Sequence, residues 1–186
     1  MLAIEKCSIR PLELSDKNRI LQWRNSERVR SNMYSDHLIS QQEHGLWFSR
    51  TLDDKSSAFL VFQYEAQPVG CISFTNIDRK HNRCTWAFFL GETSVPKGTG
   101  SAMEYFALDY AFWTLKIRKL CCEVFVFNAA VIRLHEKFGF LHEGRLIQHY
   151  VKNGVYEDIV CLAKFGDKWN QEREILRVRC FGKSEN

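Results

Sequence analysis

Two residues with acid–base chemistry stand inside otherwise apolar runs. Glu123 lies within Leu120-Cys121-Cys122-Glu123-Val124-Phe125-Val126-Phe127, and His135 lies within Asn128-Ala129-Ala130-Val131-Ile132-Arg133-Leu134-His135-Glu136-Lys137-Phe138-Gly139-Phe140. Burial raises a carboxylate's pKa towards that of a useful general base. Glu123 therefore reads as a base or as a structural carboxylate paired with a neighbouring basic group. On a helix turning about 100° per residue, His135 shares a face with Val131, Leu134 and Phe138, while Arg133 and Lys137 point away. A histidine there is either a proton donor working near neutrality or a satisfied core residue. Upstream, Pro96-Lys97-Gly98-Thr99-Gly100-Ser101 opens a helix. A Gly-x-Gly start lets bare backbone N–H groups face a ligand, and the helix N-terminus and Lys97 add positive charge. That suits a pyrophosphate and equally suits a flexible loop; residue 103 is Met, so the dinucleotide G-x-G-x-x-G pattern is absent. Arg24 heads the polar, basic stretch from residue 24 to 30. Its planar guanidinium could grip phosphate oxygens in pairs, or it is a surface arginine.

Alternation and capping signals place these residues on elements. Cys7 to Pro11 reads as a first strand, followed by a helix capped by Ser15 and ending near Asn25. Ser40-Gln41-Gln42-Glu43 matches a capping box for a second helix carrying Leu46, Trp47, Phe48 and Leu52. Strands follow at Phe59–Phe62, Val69–Ile77 and Cys84–Leu90. The helix opened by Gly98 buries Met103, Phe106, Ala107, Tyr110 and Ala111. Leu120–Phe127, almost wholly apolar, predicts a strand buried on both faces and ended by Asn128. A short helix stops at Gly139, and Asn153-Gly154 joins a final hairpin. From Asp167 onward the chain reads as a basic, peripheral tail. The expected architecture is α/β, one domain over residues 1–186 with a mixed, mostly antiparallel sheet flanked by helices.

Composition narrows the classes. With 186 residues, 45% hydrophobic and 26% charged, the chain is an ordinary globular sequence. No apolar run approaches the roughly 18 residues that cross a bilayer, and the start has no secretory pattern, so the expectation is a cytoplasmic protein without membrane partners. Seven cysteines, an odd number without C-x-x-C or Cys/His spacing, read as reduced thiols and predict no metal site. A net charge of +4 permits a phosphorylated ligand but is too mild to indicate nucleic acid.

The Gly-x-Gly helix start, the strand ending in Asn128 and the pattern Asn-x-x-Ala/Val-x-x-Leu-x-Glu-Lys-x-Gly-Phe together resemble the GCN5-related N-acetyltransferases over roughly residues 58–165. The series Trp23-Arg24-Asn25, Met33-Tyr34, Ile39-Ser40, His44 and Trp47-Phe48 is similar to members acting in pseudaminic acid biosynthesis for flagellin glycosylation. The resemblance implies acetyl-CoA as co-substrate and, as acceptor, the 4-amino group of a UDP-linked 4-amino-4,6-dideoxy-N-acetyl-β-L-altrosamine. It implies that Val95, Lys97, Gly98, Thr99, Gly100 and Ser101 wrap the pyrophosphate, with Asn128 and Arg133 beside them. The backbone of Phe88, Phe89 and Leu90 would pair with the pantetheine arm and donate to the developing oxyanion. Arg24, Met33, Tyr34 and His44 would hold the nucleotide, with Ser73, Thr75 and Asn76 nearby. Trp47 and Phe48 read as core anchors. Two departures from the family pattern stand out. Val95 occupies the usual Gln/Arg position, which leaves Lys97 to supply the charge, and His135 occupies that of the tyrosine that protonates the departing thiolate.

Three other readings compete. The opening Ile9-Arg10-Pro11-Leu12 also resembles acetyltransferases of ribosomal-protein N-termini, although Arg24, Arg28, Arg30, His37 and His44 favour a diphosphate over a peptide. A non-catalytic acyl-CoA sensor, with His135 marking lost chemistry, is the second. Nucleic-acid binding through Lys164, Lys168, Arg173, Arg177, Arg179 and Lys183 is the third, weakened by the interrupting Glu172 and Glu174. The small-molecule acceptor is preferred, with a homodimer as one possible assembly.

Overall fold

The computed structural model describes residues 2–183. Seven strands form one sheet in the order β1-β2-β3-β4-β5-β7-β6: β1 (Cys7–Pro11), β2 (Ala58–Tyr64), β3 (Gln67–Asp78), β4 (Arg83–Leu90), β5 (Lys119–Phe125), β6 (Leu141–Lys152) and β7 (Val155–Phe165). The first four are antiparallel neighbours, β4–β5 is the one parallel pair, and β7 lies antiparallel between β5 and β6. The mixed α/β architecture expected from the sequence is present. Asn153 and Gly154 both have positive φ (50° and 78°), the two-residue turn whose twist suits a hairpin.

Both faces of the sheet are covered at β2–β4, and alternation along those strands assigns side chains to each, whereas β6 is exposed along most of its length. Leu60, Phe62, Ile72, Phe74, Cys84 and Trp86 enter the main core, beneath α4 (Thr99–Asp109) and α6 (Gly166–Phe181). Val61 and Cys71 point the other way, into a second cluster with Ile20 and Trp23 of α1 (Lys17–Asn25) and Phe48 of α3 (Gln41–Asp53). The remaining α-helices are α2 (Glu27–Arg30), within the stretch read as merely polar, and α5 (Ala129–Lys137), and α4 runs on into a π-helical turn at Tyr110–Thr114. No helix among the described residues is long and apolar enough to cross a membrane.

Several expectations are corrected. Ser15 does not cap α1; it lies in a 3₁₀ turn, Leu14–Asp16, because the buried Asp16 carboxylate accepts from the Glu13 N–H at 3.0 Å and pairs with both Arg10 guanidinium nitrogens. Ser40 does cap α3, accepting from Glu43 N, but the Glu43 carboxylate turns to His37 instead of closing the box. β5 is continuously buried on one face only: Leu120, Cys122 and Val124 are inside, while on the other face Cys121 is half-buried, Glu123 exposed and Phe125 alone buried. That strand stops at Phe125, and Asn128 is the residue preceding α5.

The tail from Asp167 is not peripheral. It forms α6, with Trp169 fully buried against Tyr105 and Phe112 and its indole N–H donating to Asp109 Oδ1 at 3.0 Å. Trp169→Ala should cost about 3–5 kcal/mol, as large-to-small core substitutions do. The melting temperature should drop by roughly 6–20 °C for a chain of this size. An unmoved melting temperature would return α6 to the surface.

Candidate active site

The site is made by a parting of strands. β4 and β5 pair only where Arg83–Thr85 meets Lys119–Cys121, and beyond that they diverge. The gap is a cavity of about 400 Å³, walled by Trp86–Leu90 on one side and Cys122–Phe125 on the other. Gly100 of α4 and Asn128, Val131, Leu134 and His135 close its end. Along β4 the backbone edge facing the gap has no strand partner, so polar main-chain groups line a narrow slot, as an added extended chain requires. Gly98 sits at the N-cap of α4 with φ 100°, which favours glycine. Thr99 spends both its N–H and its hydroxyl on Pro96 O, and its side chain is buried. Thr99 therefore braces the turn and does not face a ligand, a correction to its expected role. The N–H groups of Gly100 and Ser101 belong to the first helical turn, which leaves them without intrahelical partners. Lys97 is exposed beside that turn and Val95 is half-buried. Arg133 is exposed and does not line the cavity.

His135 is buried on the cavity wall, caged by Phe140, Trp86 and Phe88 at centroid distances of 4.9, 5.4 and 5.9 Å. Its Nδ1 lies 2.9 Å from Oε1 of Glu104 on α4, a residue with no exposed surface. Burial pushes the Glu104 carboxyl up from its ordinary range, against the opposing pull of His135 and Lys164. Glu104 was missed in the sequence because the periodicity placed Phe106 and Tyr110 inside. Both are half-buried, and the inner face is Ala102, Met103, Glu104, Tyr105, Ala107 and Leu108. A carboxylate between Met103 and Tyr105 was the available signal.

Glu123 reaches the same cavity from the exposed face of β5 and accepts from the Tyr34 hydroxyl at 2.5 Å. It is neither enclosed in apolar surroundings nor paired with a basic group, so the buried-carboxylate expectation is corrected. Burial and the bond to Glu123 both push the Tyr34 phenol up, so its proton stays on the ring oxygen.

A second cavity of about 460 Å³ lies on the α1/α3 side of β4 and shares Met33, Tyr34, Ala87, Phe88 and Phe89 with the first. Arg24, His44 and Ser73 line it, together with Ser35, Glu43, Trp47 and Arg50. Arg24 donates to Ser35 Oγ at 2.9 Å and has no carboxylate partner among the described residues. His44 Nε2 is 2.8 Å from the Lys17 carbonyl, which can only accept, so that nitrogen carries the ring proton; burial pushes the imidazole down. His44 thus presents Nδ1 as an acceptor and forms wall instead of a phosphate donor. Trp47, expected only as a core anchor, is half-buried and lines the cavity, whereas Phe48 is core. Thr75 and Asn76 are not brought to this site. They border an adjoining recess with Asp54, Ser56 and Ser57, which shares Trp47, Arg50 and Phe59 with the cavity.

The loop carrying Met33 and Tyr34 is tied down by its backbone. Asn25 bonds both the N–H and the carbonyl of Ile39, Arg30 donates to Asp36 O, and the buried Lys152 donates to Met33 O at 2.5 Å. Three of the six residues of the carboxy-terminal basic run are paired: Lys164 with Glu172, Arg173 with Asp109 and Arg177 with Glu174. That pairing disfavours a nucleic-acid face. No group of three or more potential metal ligands occurs among the described residues.

Residues 7–141 match the family model described as an acetyltransferase (GNAT) domain. The chain is 23% identical to the spermidine N(1)-acetyltransferase of Escherichia coli K12 over 174 residues, 94% of each chain. It is 34% identical to the acetyltransferase PseH of Campylobacter jejuni serotype O:2 over 125 residues, 65% of this chain and 74% of that one. Among solved structures, the spermidine N-acetyltransferase of Vibrio cholerae in complex with CoA and spermine superposes with a TM-score of 0.84 at 23% identity, covering 89% of this chain and 99% of that one.

Proposed function

Because this chain belongs to the GNAT acetyltransferase family, whose members transfer acetyl from acetyl-CoA, we propose that its acceptor is the 4-amino group of a UDP-linked 4-amino-4,6-dideoxy-N-acetyl-altrosamine. The observation that carries this reading is Arg24: half-buried in the acceptor cavity, bonded only to a serine hydroxyl, and joined there by Arg50. A partly desolvated cation without a carboxylate is costly unless an anion completes it. A diphosphate supplies two, and a guanidinium meets phosphate oxygens in pairs. The identity to PseH supports the same acceptor class. Spermidine, the acceptor named for the E. coli relative, is a polycation and calls for acidic walls. Glu43 is the single carboxylate among the residues lining this cavity, and it is already engaged by His37.

Acetyl-CoA supplies an activated acetyl group as a thioester. The edge of β4 that has no neighbouring strand, Trp86 to Leu90, would hold the pantetheine arm, with the Leu90 carbonyl already accepting from Arg28 at 2.9 Å. The first turn of α4, with Lys97, Gly98, Gly100 and Ser101, would hold the pyrophosphate, and Asn128 would flank it. A backbone N–H of β4 polarises the acetyl carbonyl, a contribution of the kind whose loss costs ~10²–10³ in rate. An ammonium has no lone pair for attack, so Glu123 takes the amine proton, directly or through water, while Tyr34 orients its carboxylate. His135 hands a proton to the sulfur. Met33 and Tyr34, common to both cavities, would lie where the amine must meet the acetyl group.

Thiol release with acetyl-CoA tests the acceptor. The UDP-amino sugar should support turnover at least about tenfold above spermidine, and UDP should raise the melting temperature more than GDP or dTDP by binding the native state. Faster turnover with spermidine, together with a melting temperature indifferent to UDP, would overturn the nucleotide-sugar reading.

A further inference from the structure

His135 and Glu104 form a pair whose two ends differ. Nδ1 is committed to Glu104 Oε1 at 2.9 Å, and the ring's other nitrogen, Nε2, is left for the cavity that His135 lines. Glu104 has no exposed surface, and its Oε2 has no hydrogen-bond partner. A carboxylate with one oxygen buried and unsatisfied is costly; a carboxylic acid that donates through one oxygen to Nδ1 is far less so. If Glu104 donates to Nδ1, the imidazole's own proton must sit on Nε2. The other groups near the carboxyl do not displace this arrangement. Lys164, from β7, is committed to Glu172, while Cys122 of β5 and Cys180 of α6 are thiols that burial holds up in their protonated form.

We propose that Glu104 and His135 hold one transferable proton between them, and that Glu104 is the positioning residue that keeps a proton on Nε2, facing the sulfur. The inference rests on the reading of His135 as the general acid. As the acetyl C–S bond breaks, its electron pair stays on sulfur, which takes the Nε2 proton. The Glu104 proton passes to Nδ1. The pair ends as a carboxylate bonded to a neutral imidazole, one proton poorer, and solvent restores that proton after the thiol leaves. Without Glu104's proton the same donation would leave an imidazolate. The carboxylate–imidazolium form of the pair holds the same number of protons and presents the same Nε2–H, so either internal distribution serves.

Glu104→Gln separates this role from a packing role. The amide is nearly the same shape and can donate to Nδ1, so Nε2 stays protonated, but it has no proton to pass on. The expected result is a kcat lower by roughly ten- to a hundredfold, an alkaline limb of the kcat profile moved to lower pH, and CoA affinity within about twofold. Nitrogen-15 NMR of the histidine ring gives a readout independent of turnover: His135 should carry a proton on Nε2 at pH 7.5 in the wild type and in Glu104→Gln. A wild-type spectrum with Nδ1–H and a bare Nε2 would overturn the proposal even if the variant did not fold. So would a variant whose rate falls equally at every pH, which marks Glu104 as structural only. Full turnover by His135→Phe would remove the general-acid reading, while the NMR result would still decide whether the pair holds its proton as described.

Discussion

His135→Phe is expected to lower turnover by roughly 10²–10⁴, the range of general acid–base contributions, while leaving CoA affinity within about twofold. Phenylalanine suits the apolar half of this environment, where Phe140, Trp86 and Phe88 surround the ring. It does not satisfy the other half: Glu104 Oε1 loses its only partner and joins Oε2 as an unpaired buried oxygen. Since burial already pushes that carboxyl up, it should stay neutral in the variant and avoid an isolated buried charge. Stability should therefore fall modestly, by the roughly 1–3 kcal/mol of an unsatisfied polar group, without loss of the fold. Stopped-flow thiol release and calorimetric CoA binding on one preparation separate the two effects. Equal losses in kcat and CoA affinity would mean that the ring shapes the slot and has no proton role. Unchanged kcat would assign protonation of sulfur to water.

Which of these features could be read from the residues follows from the range of the forces involved. The Asn153-Gly154 turn, the Ser40 cap and the helix over residues 129–137 depend on neighbours a few positions apart, and all three are present. The Gly-x-Gly turn at the start of α4 was legible as well, whereas the ligand-pairing role of β4 came only from the family resemblance, because a strand that pairs through its backbone leaves no mark in its side chains. Glu104 was not legible as a partner of His135, since 31 residues and an intervening strand separate them and only packing brings α4 against α5. The exposure of Glu123 escaped for a different reason. An apolar run cannot tell which of its alternate residues face a covering layer, and the helices beneath β5 cover one side while the other opens to the cleft. The carboxy-terminal helix was misjudged because its two buried anchors, Trp169 and Leu176, lie seven residues apart among charges that pair locally or with Asp109. Thr75 and Asn76 were carried to the acceptor by their place on the strand of Ser73. Thr75, still in register with Thr85, lies two residues further along the strand at an adjoining recess, and Asn76, at φ 51°, opens the irregular stretch beyond it.

Arg24→Ala should reduce kcat/KM for the nucleotide-linked amino sugar by roughly 10²–10³, in line with the 2–5 kcal/mol cost of truncating one partner of a desolvated, hydrogen-bonded charge pair. Most of that loss should appear in KM, because the guanidinium lies in the acceptor cavity and not in the slot that holds His135. The apo protein should be stabilised or unchanged by the substitution. Arg24 is half-buried with a hydroxyl as its only side-chain partner, so removing it relieves a desolvation penalty that nothing in the chain offsets. This combination, a firmer apo protein with a weaker acceptor complex, is what distinguishes a ligand-completed arginine from a structural one. The increase in melting temperature produced by UDP should shrink in Arg24→Ala while the increase produced by CoA persists, since the two ligands occupy cavities that meet only at Met33, Tyr34 and β4. Equal UDP shifts in the two proteins would remove Arg24 from the acceptor site. With spermidine as acceptor the charge argument reverses sign: deleting Arg24 should ease entry of a polycation, so a gain in spermidine turnover alongside the loss with the sugar nucleotide would tie acceptor choice to this one side chain.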